Sequence, residues 1–133
     1  MILVDTAAFY ALLDRSDPAH PAAVVVLERL RAADAALVTH QYVLVETTAL
    51  LQRRLGMAAV RRFTDDLLPL AEVVWIDAEL HAQAREALLA ANRRDISLVD
   101  RVSFVVMRRL GIGQAFTFDA DFAAEGFDVV PSA

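Results

Sequence analysis

Two acidic residues stand directly after apolar runs of the kind that form buried strands. Asp5 follows Ile2-Leu3-Val4, and Asp119 follows Ala115-Phe116-Thr117-Phe118. In open parallel sheets, ligands bind outside the carboxyl ends of the strands, so both carboxylates are expected at the ligand-binding edge. Each acid alone also has an ordinary explanation, because short polar residues after strands routinely cap the next helix.

Two further acids lie on segments with a helical pattern. Glu46 lies within residues 42–51, which carry no other charge. Burying a carboxylate without a partner costs on the order of several kcal/mol. We therefore expect Glu46 to be buried and compensated by an arginine or a metal ion, and exposure to solvent is the alternative. Asp100 opens a helical segment, where attraction to the helix macrodipole could account for it completely.

The combination of these four acids is more informative than any one of them. If they converge on one crevice, their carboxylates repel each other unless some are protonated or a cation lies among them. Mg²⁺ would relieve that repulsion and would keep water ligands, one of which can attack a substrate. Such clusters suit the hydrolysis of phosphodiesters, because the metal also neutralises charge that develops on the phosphoryl oxygens.

The composition excludes several other classes of protein. The chain has 133 residues, 57% of them hydrophobic and 23% charged, which is typical of one globular domain. It has no cysteine, and its three histidines lack the spacing of a zinc site, so a metal would be held by oxygen ligands. The net charge of −5 argues against nucleic-acid binding through bulk positive charge, although all 13 basic residues are arginines that could form a local phosphate-binding patch. No targeting segment is recognised, which favours a cytoplasmic location.

Short apolar strands alternate with helical segments along the whole chain. This alternation predicts an α/β sandwich around a mainly parallel sheet, in one domain over residues 1–133. The predicted strands cover residues 2–4, 36–39, 73–76, 115–118 and 127–130. The predicted helices cover residues 6–13, 22–33, 42–55, 57–68, 78–92 and 98–110.

Several short segments together make the sequence similar to a known family. They are Ile2-Leu3-Val4-Asp5-Thr6, Glu46 in its apolar helix, Ser97-Leu98-Val99-Asp100-Arg101-Val102-Ser103-Phe104, Thr117-Phe118-Asp119-Ala120-Asp121-Phe122 and a closing Gly126-Phe127. In order and separation they resemble the PIN-domain family, and within it the VapC-like toxin ribonucleases of bacterial and archaeal toxin–antitoxin pairs. The resemblance spans essentially the whole chain.

The resemblance implies a three-layer α/β/α fold with strand order 3-2-1-4-5 and an endoribonuclease that depends on Mg²⁺ or Mn²⁺. Asp5 and Asp100 would be direct metal ligands, and Glu46 and Asp119 would complete the catalytic cluster. Asp121 is a fifth candidate ligand, because the Thr-x-Asp-x-Asp-Phe pattern leaves open which aspartate lies closer. In-line attack by a metal-activated water on RNA would leave a 5′-phosphate and a 3′-hydroxyl.

Further expectations concern supporting residues and partners. Hydrogen bonds that orient the ligands are expected from Thr6, Ser103 and Thr117. Candidate contacts for RNA phosphates, which could equally be solvated surface charges, are Arg93, Arg94 and Arg101. The resemblance also implies a cognate antitoxin that blocks the acid cluster, a homodimer, and contact with promoter DNA only through the antitoxin complex.

Three other functions place an acid at a strand end or use the same fold. The main alternative is a PIN-like module that binds RNA or a protein without cutting it, and the complete set of four acids argues against it. Receiver domains also need a lysine, which this chain lacks. Haloacid-dehalogenase-like phosphatases need a second aspartate two residues after the first, where this chain has Ala7.

Overall fold

The fold is built on five short strands that form one parallel sheet. The structure is a computed structural model that describes residues 1–132. The strands are β1 (Ile2–Val4), β2 (Leu37–His40), β3 (Ala71–Val74), β4 (Gln114–Phe116) and β5 (Asp128–Val130). Their order across the sheet is β3-β2-β1-β4-β5, and each neighbouring pair is parallel. The predicted α/β class and strand order are confirmed.

Seven α-helices within residues 1–132 accompany these strands. They are α1 (Thr6–Leu13), α2 (His20–Ala32), α3 (Gln41–Arg54), α4 (Met57–Arg62), α5 (Ala78–Ala91), α6 (Leu98–Leu110) and α7 (Asp121–Ala124). A π-helical turn (Phe63–Leu67) and a 3₁₀ turn (Leu68–Leu70) lead from α4 into β3. None of the helices in the part of the chain described is both long and apolar enough to cross a membrane.

The central strand β1 is buried because helices cover both faces of the sheet. Its three residues are continuously apolar rather than alternating, as expected for a parallel strand that packs on both sides. Leu3 pairs with Val38 of β2 and Ala115 of β4. The first polar residue after this strand therefore emerges at the carboxyl edge of the sheet, among the ends of its neighbours.

Two hydrophobic cores lie on opposite faces of the sheet. The first is formed mainly by α1 to α4, and its large members include Phe9, Val43, Leu51, Phe63 and Phe116. The second is formed mainly by α5 to α7, and its large members include Phe104, Val106, Met107, Ile112 and Phe122. These two cores give the three layers that the resemblance implied.

The predicted position of β3 is wrong by two residues. The apolar run 73–76 predicted the strand, but β3 begins at Ala71 and ends at Val74. As an edge strand it pairs only with β2, so it tolerates the exposed Glu72 in its middle. Trp75, which was expected within the strand, lies beyond its end and is 71% exposed.

Two other predicted elements end early for local reasons. β4 ends at Phe116, and the backbone N–H of Asp119 donates to Thr117 Oγ1 instead of continuing the strand. The helix predicted over 57–68 stops at Arg62 and continues as the π-helical turn. Thr64 Oγ1 donates to the carbonyl of Val60, and such side-chain bonds compete with regular helical hydrogen bonding.

Candidate metal centre

Asp5 lies at the carboxyl end of β1 and is almost completely buried, with 4% of its surface exposed. It occupies the N-cap position of α1, but its side chain makes no capping hydrogen bond. The capping explanation therefore does not account for its carboxylate. Instead, Asp5 Oδ2 accepts a hydrogen bond of 2.9 Å from Thr117 Oγ1.

Thr117 joins the end of β1 to the loop after β4. Its hydroxyl donates to Asp5 and accepts from the backbone N–H of Asp119 at 3.0 Å. Because Thr117 is buried, this link fixes the loop against the end of the central strand. Thr117 thus has the orienting position expected of it.

Asp100 reaches the same edge from the first turn of α6. Ser97 is the N-cap of that helix, and its hydroxyl accepts from the backbone N–H of Asp100 at 3.1 Å. Since the cap fixes the first turn, the half-buried carboxylate of Asp100 is held in place.

Three carboxylates come together at this edge of the sheet. One ligand atom each from Asp100, Asp119 and Asp121 lies within 4.8 Å of the other two. Asp119 Oδ1 also accepts from the backbone N–H of Asp121 at 2.9 Å, so the loop geometry holds both side chains. The structure therefore brings both aspartates of the Thr-x-Asp-x-Asp-Phe pattern to Asp100.

Glu46 is exposed, so the expected burial of its side chain is wrong. The buried side of α3 carries Val43, Thr47 and Leu51, which are spaced four residues apart. Glu46 lies outside that stripe. Its charge nevertheless acts on the acids, because it contributes to raising the pKa of both Asp5 and Asp100.

The electrostatics of this edge disfavour full ionisation. Burial and the charge of Asp100 raise the pKa of Asp5 to about 7, against the opposing hydrogen bond from Thr117. Burial and the charge of Asp119 raise the pKa of Asp100 to about 6, against opposing hydrogen bonds from Ser97. At neutral pH, Asp5 therefore stays partly protonated, and a cation at this edge would favour the ionised form of both carboxylates.

The donor set fits a hard divalent cation. The side chains that converge here offer carboxylate oxygens, which are the ligands that Mg²⁺ and Mn²⁺ prefer. Thr6 Oγ1, one residue after Asp5, is buried with no hydrogen-bond partner among residues 1–132. The chemistry of the ligands and the charge imbalance both agree with an ion at this position.

The other residues expected near the cluster have different roles in the structure. Ser103 Oγ lies 2.8 Å from His40 Nε2 and donates to the carbonyl of Val99, so it belongs to the core. Arg93 pairs with Asp95 through bonds of 2.6 and 3.1 Å. The buried Arg101 lies 3.5 Å from Glu125.

The structure therefore leaves Arg94 as the most available of the three predicted phosphate contacts. It is exposed, and no ion pair to its side chain is found within the described range.

Glu125 pairs with two arginines and was not predicted from the sequence. It lies 3.5 Å from Arg101 and 2.7 Å from Arg108. The spacing of four residues between Asp121 and Glu125 could have indicated that both acids lie on one short segment.

Comparisons with known proteins cover nearly the whole chain. The sequence matches the PIN-domain family over residues 2–127. The 23S rRNA-specific endonuclease VapC20 of Mycobacterium tuberculosis is 42% identical over 129 residues, which is 96% of this chain and 95% of that protein. The crystal structure of VapC20, a sarcin–ricin loop cleaving toxin, has a TM-score of 0.83 and 38% identity, covering 96% of both chains.

More distant structures share the fold alone. FitAcB from Neisseria gonorrhoeae has a TM-score of 0.70 and 20% identity, covering 97% of this chain and 96% of that chain. VapBC2 from Rickettsia felis, bound to a DNA fragment from its promoter, has a TM-score of 0.71 and 15% identity, covering 97% of each. Since the family pattern covers almost every described residue and a relative of 42% identity has the same fold, the chain belongs to the PIN-domain family, as its motifs predicted.

Proposed function

We propose that this protein is a metal-dependent endoribonuclease and the toxin component of a toxin–antitoxin pair, acting as a single PIN domain over residues 1–133, of which residue 133 lies outside the described part. The observation that carries this proposal is the convergence of Asp100, Asp119 and Asp121 within 4.8 Å beside the buried Asp5. A divalent metal held by such oxygen ligands can neutralise the charge that develops on the phosphoryl oxygens during hydrolysis.

The metal, Mg²⁺ or Mn²⁺, would be held directly by Asp5 and Asp100. Glu46, Asp119 and Asp121 would complete the cluster through direct contacts or through water. When bound, the cation supplies neutralisation of charge on the phosphoryl oxygens and a lower pKa for a coordinated water. The arrangement of Asp5 by Thr117 and of Asp100 by Ser97 keeps these side chains in place before the substrate arrives.

The chain's own residues would then guide hydrolysis of the RNA backbone. Carboxylates at this edge would orient a water for in-line attack on phosphorus, and we assign to Glu46 the role of accepting its proton. The bond from phosphorus to the 3′ oxygen breaks, and that oxygen takes up a proton. The products are a 5′-phosphate and a 3′-hydroxyl.

A non-catalytic binding module accounts less well for the same geometry. A group of mutually repelling carboxylates, three of them with raised pKa values, destabilises the folded protein unless it is used. The similarity to an endonuclease along 96% of this chain supports the catalytic alternative.

The relatives suggest which substrate and partners to test. VapC20 is named for 23S rRNA and for cleavage of the sarcin–ricin loop, so we propose a structured loop of ribosomal RNA as the substrate. An antitoxin partner, a homodimer, promoter DNA bound only through the antitoxin complex, and a cytoplasmic location complete the proposal. Arg94 is the foremost candidate for a phosphate contact, with Arg93 and Arg101 available only if they exchange their acidic partners.

Cleavage by the purified, antitoxin-free protein tests this function. We expect total RNA containing 23S rRNA to be cut in the presence of Mg²⁺ or Mn²⁺ and to remain intact with EDTA. The Asp100→Asn variant should lose activity by at least about 100-fold, because replacing a ligand should cost more than disturbing an outer-shell partner.

A matched control separates the cluster from the general surface charge. Asp65→Asn removes an exposed aspartate outside the cluster and should cut RNA as the unmodified protein does. Thermal melting of each variant checks the fold, and Mn²⁺ should raise the melting temperature of the control but not of Asp100→Asn. Cleavage that survives Asp100→Asn would contradict the proposed site.

A further inference from the structure

A groove of about 310 Å³ opens beside the acid cluster, at the carboxyl ends of β4 and β5. Its walls include Phe118 and Asp119 from the loop after β4, Ala123 from α7, and Val129 and Pro131 from the end of β5. We call it the Phe118 groove. It lies at the edge of the sheet where parallel α/β folds bind their ligands.

Phe118 presents a positioned aromatic ring to this groove. It is 36% exposed, although phenylalanine is among the residue types most often fully buried. The buried ring of Phe116 supports it in an edge-to-face contact, with centroids 6.2 Å apart and planes at 64°. The ring is therefore held by the core while part of its surface stays open.

The charge of the lining selects a neutral occupant. Asp119 is the single ionisable side chain that lines the groove among residues 1–132, and it would repel a phosphate. The hydroxyl of Ser132 supplies a hydrogen-bonding group beside otherwise apolar walls. A flat, neutral group with a polar edge matches this lining better than a phosphate or an acidic peptide does.

The groove is continuous with the candidate metal centre. Thr117 lines the groove and also donates to Asp5, and Asp119 belongs both to the groove and to the carboxylate cluster. A nucleotide next to a phosphate held at the cluster would therefore have its base at the mouth of the groove.

We propose that the Phe118 groove holds an unpaired nucleobase of the RNA next to the scissile phosphate, with Phe118 as its stacking face. This inference rests on the proposed endoribonuclease function and adds a binding subsite to it. Single-stranded loops are recognised mainly by bases that unstack and pack on aromatic side chains, since every base has a flat π face.

The kinetics of Phe118 variants test the subsite. Phe118→Ala should lower kcat/KM for cleavage of 23S rRNA by roughly 5- to 150-fold, the range expected from the loss of one stacked base. Phe118→Tyr keeps the aromatic ring and should retain activity. Phe118→Leu keeps apolar volume but has no aromatic ring, so it should lose most of the activity. The matched control is Trp75→Ala, which removes an exposed aromatic that follows β3, the outer strand on the other side of the sheet from β5, and should not change kcat/KM.

The Mn²⁺-induced rise in melting temperature distinguishes a subsite from a damaged metal centre. It should be the same in Phe118→Ala as in the unmodified protein, because the ring offers no ligand. Unchanged kcat/KM in a folded Phe118→Ala protein would overturn the inference and would leave the groove to another occupant, such as a segment of a partner protein.

Fluorescence gives a direct readout that needs no cleavage. Phe118→Trp and Trp75→Phe together leave one tryptophan, at position 118, and Asp100→Asn prevents cleavage. The fluorescence of this tryptophan should be quenched by a single-stranded RNA of ten nucleotides. If the unmodified protein cuts RNA but this tryptophan is not quenched, the subsite is wrong and the nuclease stands. Quenching without any cleavage by the unmodified protein would instead support RNA binding and contradict the proposed activity.

Discussion

Two neighbouring strands of the sheet end in buried ionisable side chains that behave in opposite ways. β1 ends at Val4 and is followed by Asp5, and β2 ends with His40. Burial raises the pKa of Asp5 to about 7 and lowers the pKa of His40 to about 4. In both cases the fold favours the neutral form, yet the surroundings of the two groups differ.

The neutral imidazole of His40 has a partner for each ring nitrogen. Its Nδ1 accepts from the backbone N–H of Val43 at 3.4 Å and so caps α3. Its Nε2 lies 2.8 Å from Ser103 Oγ, whose own hydroxyl donates to the carbonyl of Val99. This chain of bonds is complete without any added ion, which is typical of a structural residue.

Asp5 instead lies among charges of its own sign. Asp100 and Glu46 both raise its pKa, and the one side-chain hydrogen bond to its carboxylate from within residues 1–132 comes from Thr117. A cation would complete these surroundings. The comparison teaches that a shifted pKa does not by itself identify a functional site. The useful signal is an excess of like charges that the fold brings together without a counterion.

The largest expected effect comes from Asp5→Asn. The amide keeps the size of the side chain but cannot replace an anionic ligand, so RNA cleavage should fall by at least about 100-fold. In EDTA at pH 8 the same variant should be more stable than the unmodified protein by on the order of 3 kcal/mol, because it no longer buries a carboxylate among acids. Chemical denaturation measures this gain, and a loss of stability would show that the carboxylate is structural.

The second largest effect is expected on stability when His40, at the end of β2, is replaced. His40→Ala removes the cap of α3 and leaves Ser103 without its partner, so stability should fall by about 2–4 kcal/mol. His40→Asn keeps a favoured N-cap residue and should lose less. The Mn²⁺-induced rise in melting temperature should persist in both folded variants. Its disappearance would place His40 in the metal centre.

The pH dependence of stability should separate the two residues by sign. Between pH 4 and 6.5 the unfolded chain binds a proton on His40 that the folded chain does not, so His40 makes stability rise with pH. Relative to His40→Asn, the unmodified protein should therefore gain up to about 3 kcal/mol as pH rises from 4 to 6.5 and then level off.

Asp5 should make stability depend on pH in the opposite direction. Between pH 3.8 and about 7 the folded chain holds a proton on Asp5 that the unfolded chain has lost, so stability falls as pH rises. In EDTA, the stability of the unmodified protein relative to Asp5→Asn should therefore fall as the pH rises through this window. Saturating Mn²⁺ should reverse that loss. If the stability difference from Asp5→Asn changed with pH in the same direction as the stability difference from His40→Asn, the assignment would be contradicted.

The local placement of the acids could be predicted from sequence, because it depends on neighbouring residues. Asp5 follows a continuous apolar run, and Ser97 caps the helix that carries Asp100, so each acid is fixed by its own segment. The strand order came from the family resemblance.

Contacts distant in sequence could not be predicted in this way. The hydrogen bond between Thr117 and Asp5 joins residues 112 positions apart. The exposure of Glu46 depends on which side of α3 packs, and a helix with apolar residues on every side does not reveal that. The edge position of β3 likewise depends on its pairing with β2 rather than on its own apolar run.

The smallest effect on stability is expected from Glu46→Gln, which compares an exposed acid with the buried Asp5 in the same electrostatic field. Water screens an exposed carboxylate, so its removal should relieve less repulsion and should change stability in EDTA by less than about 1 kcal/mol. Cleavage should fall by about 100-fold or more, because Glu46 accepts the proton of the attacking water in the proposed mechanism and general bases contribute about 10²–10⁴-fold. Activity close to that of the unmodified protein would mean that exposed acids only surround the centre, and that Asp5 and the carboxylates near Asp100 carry the chemistry.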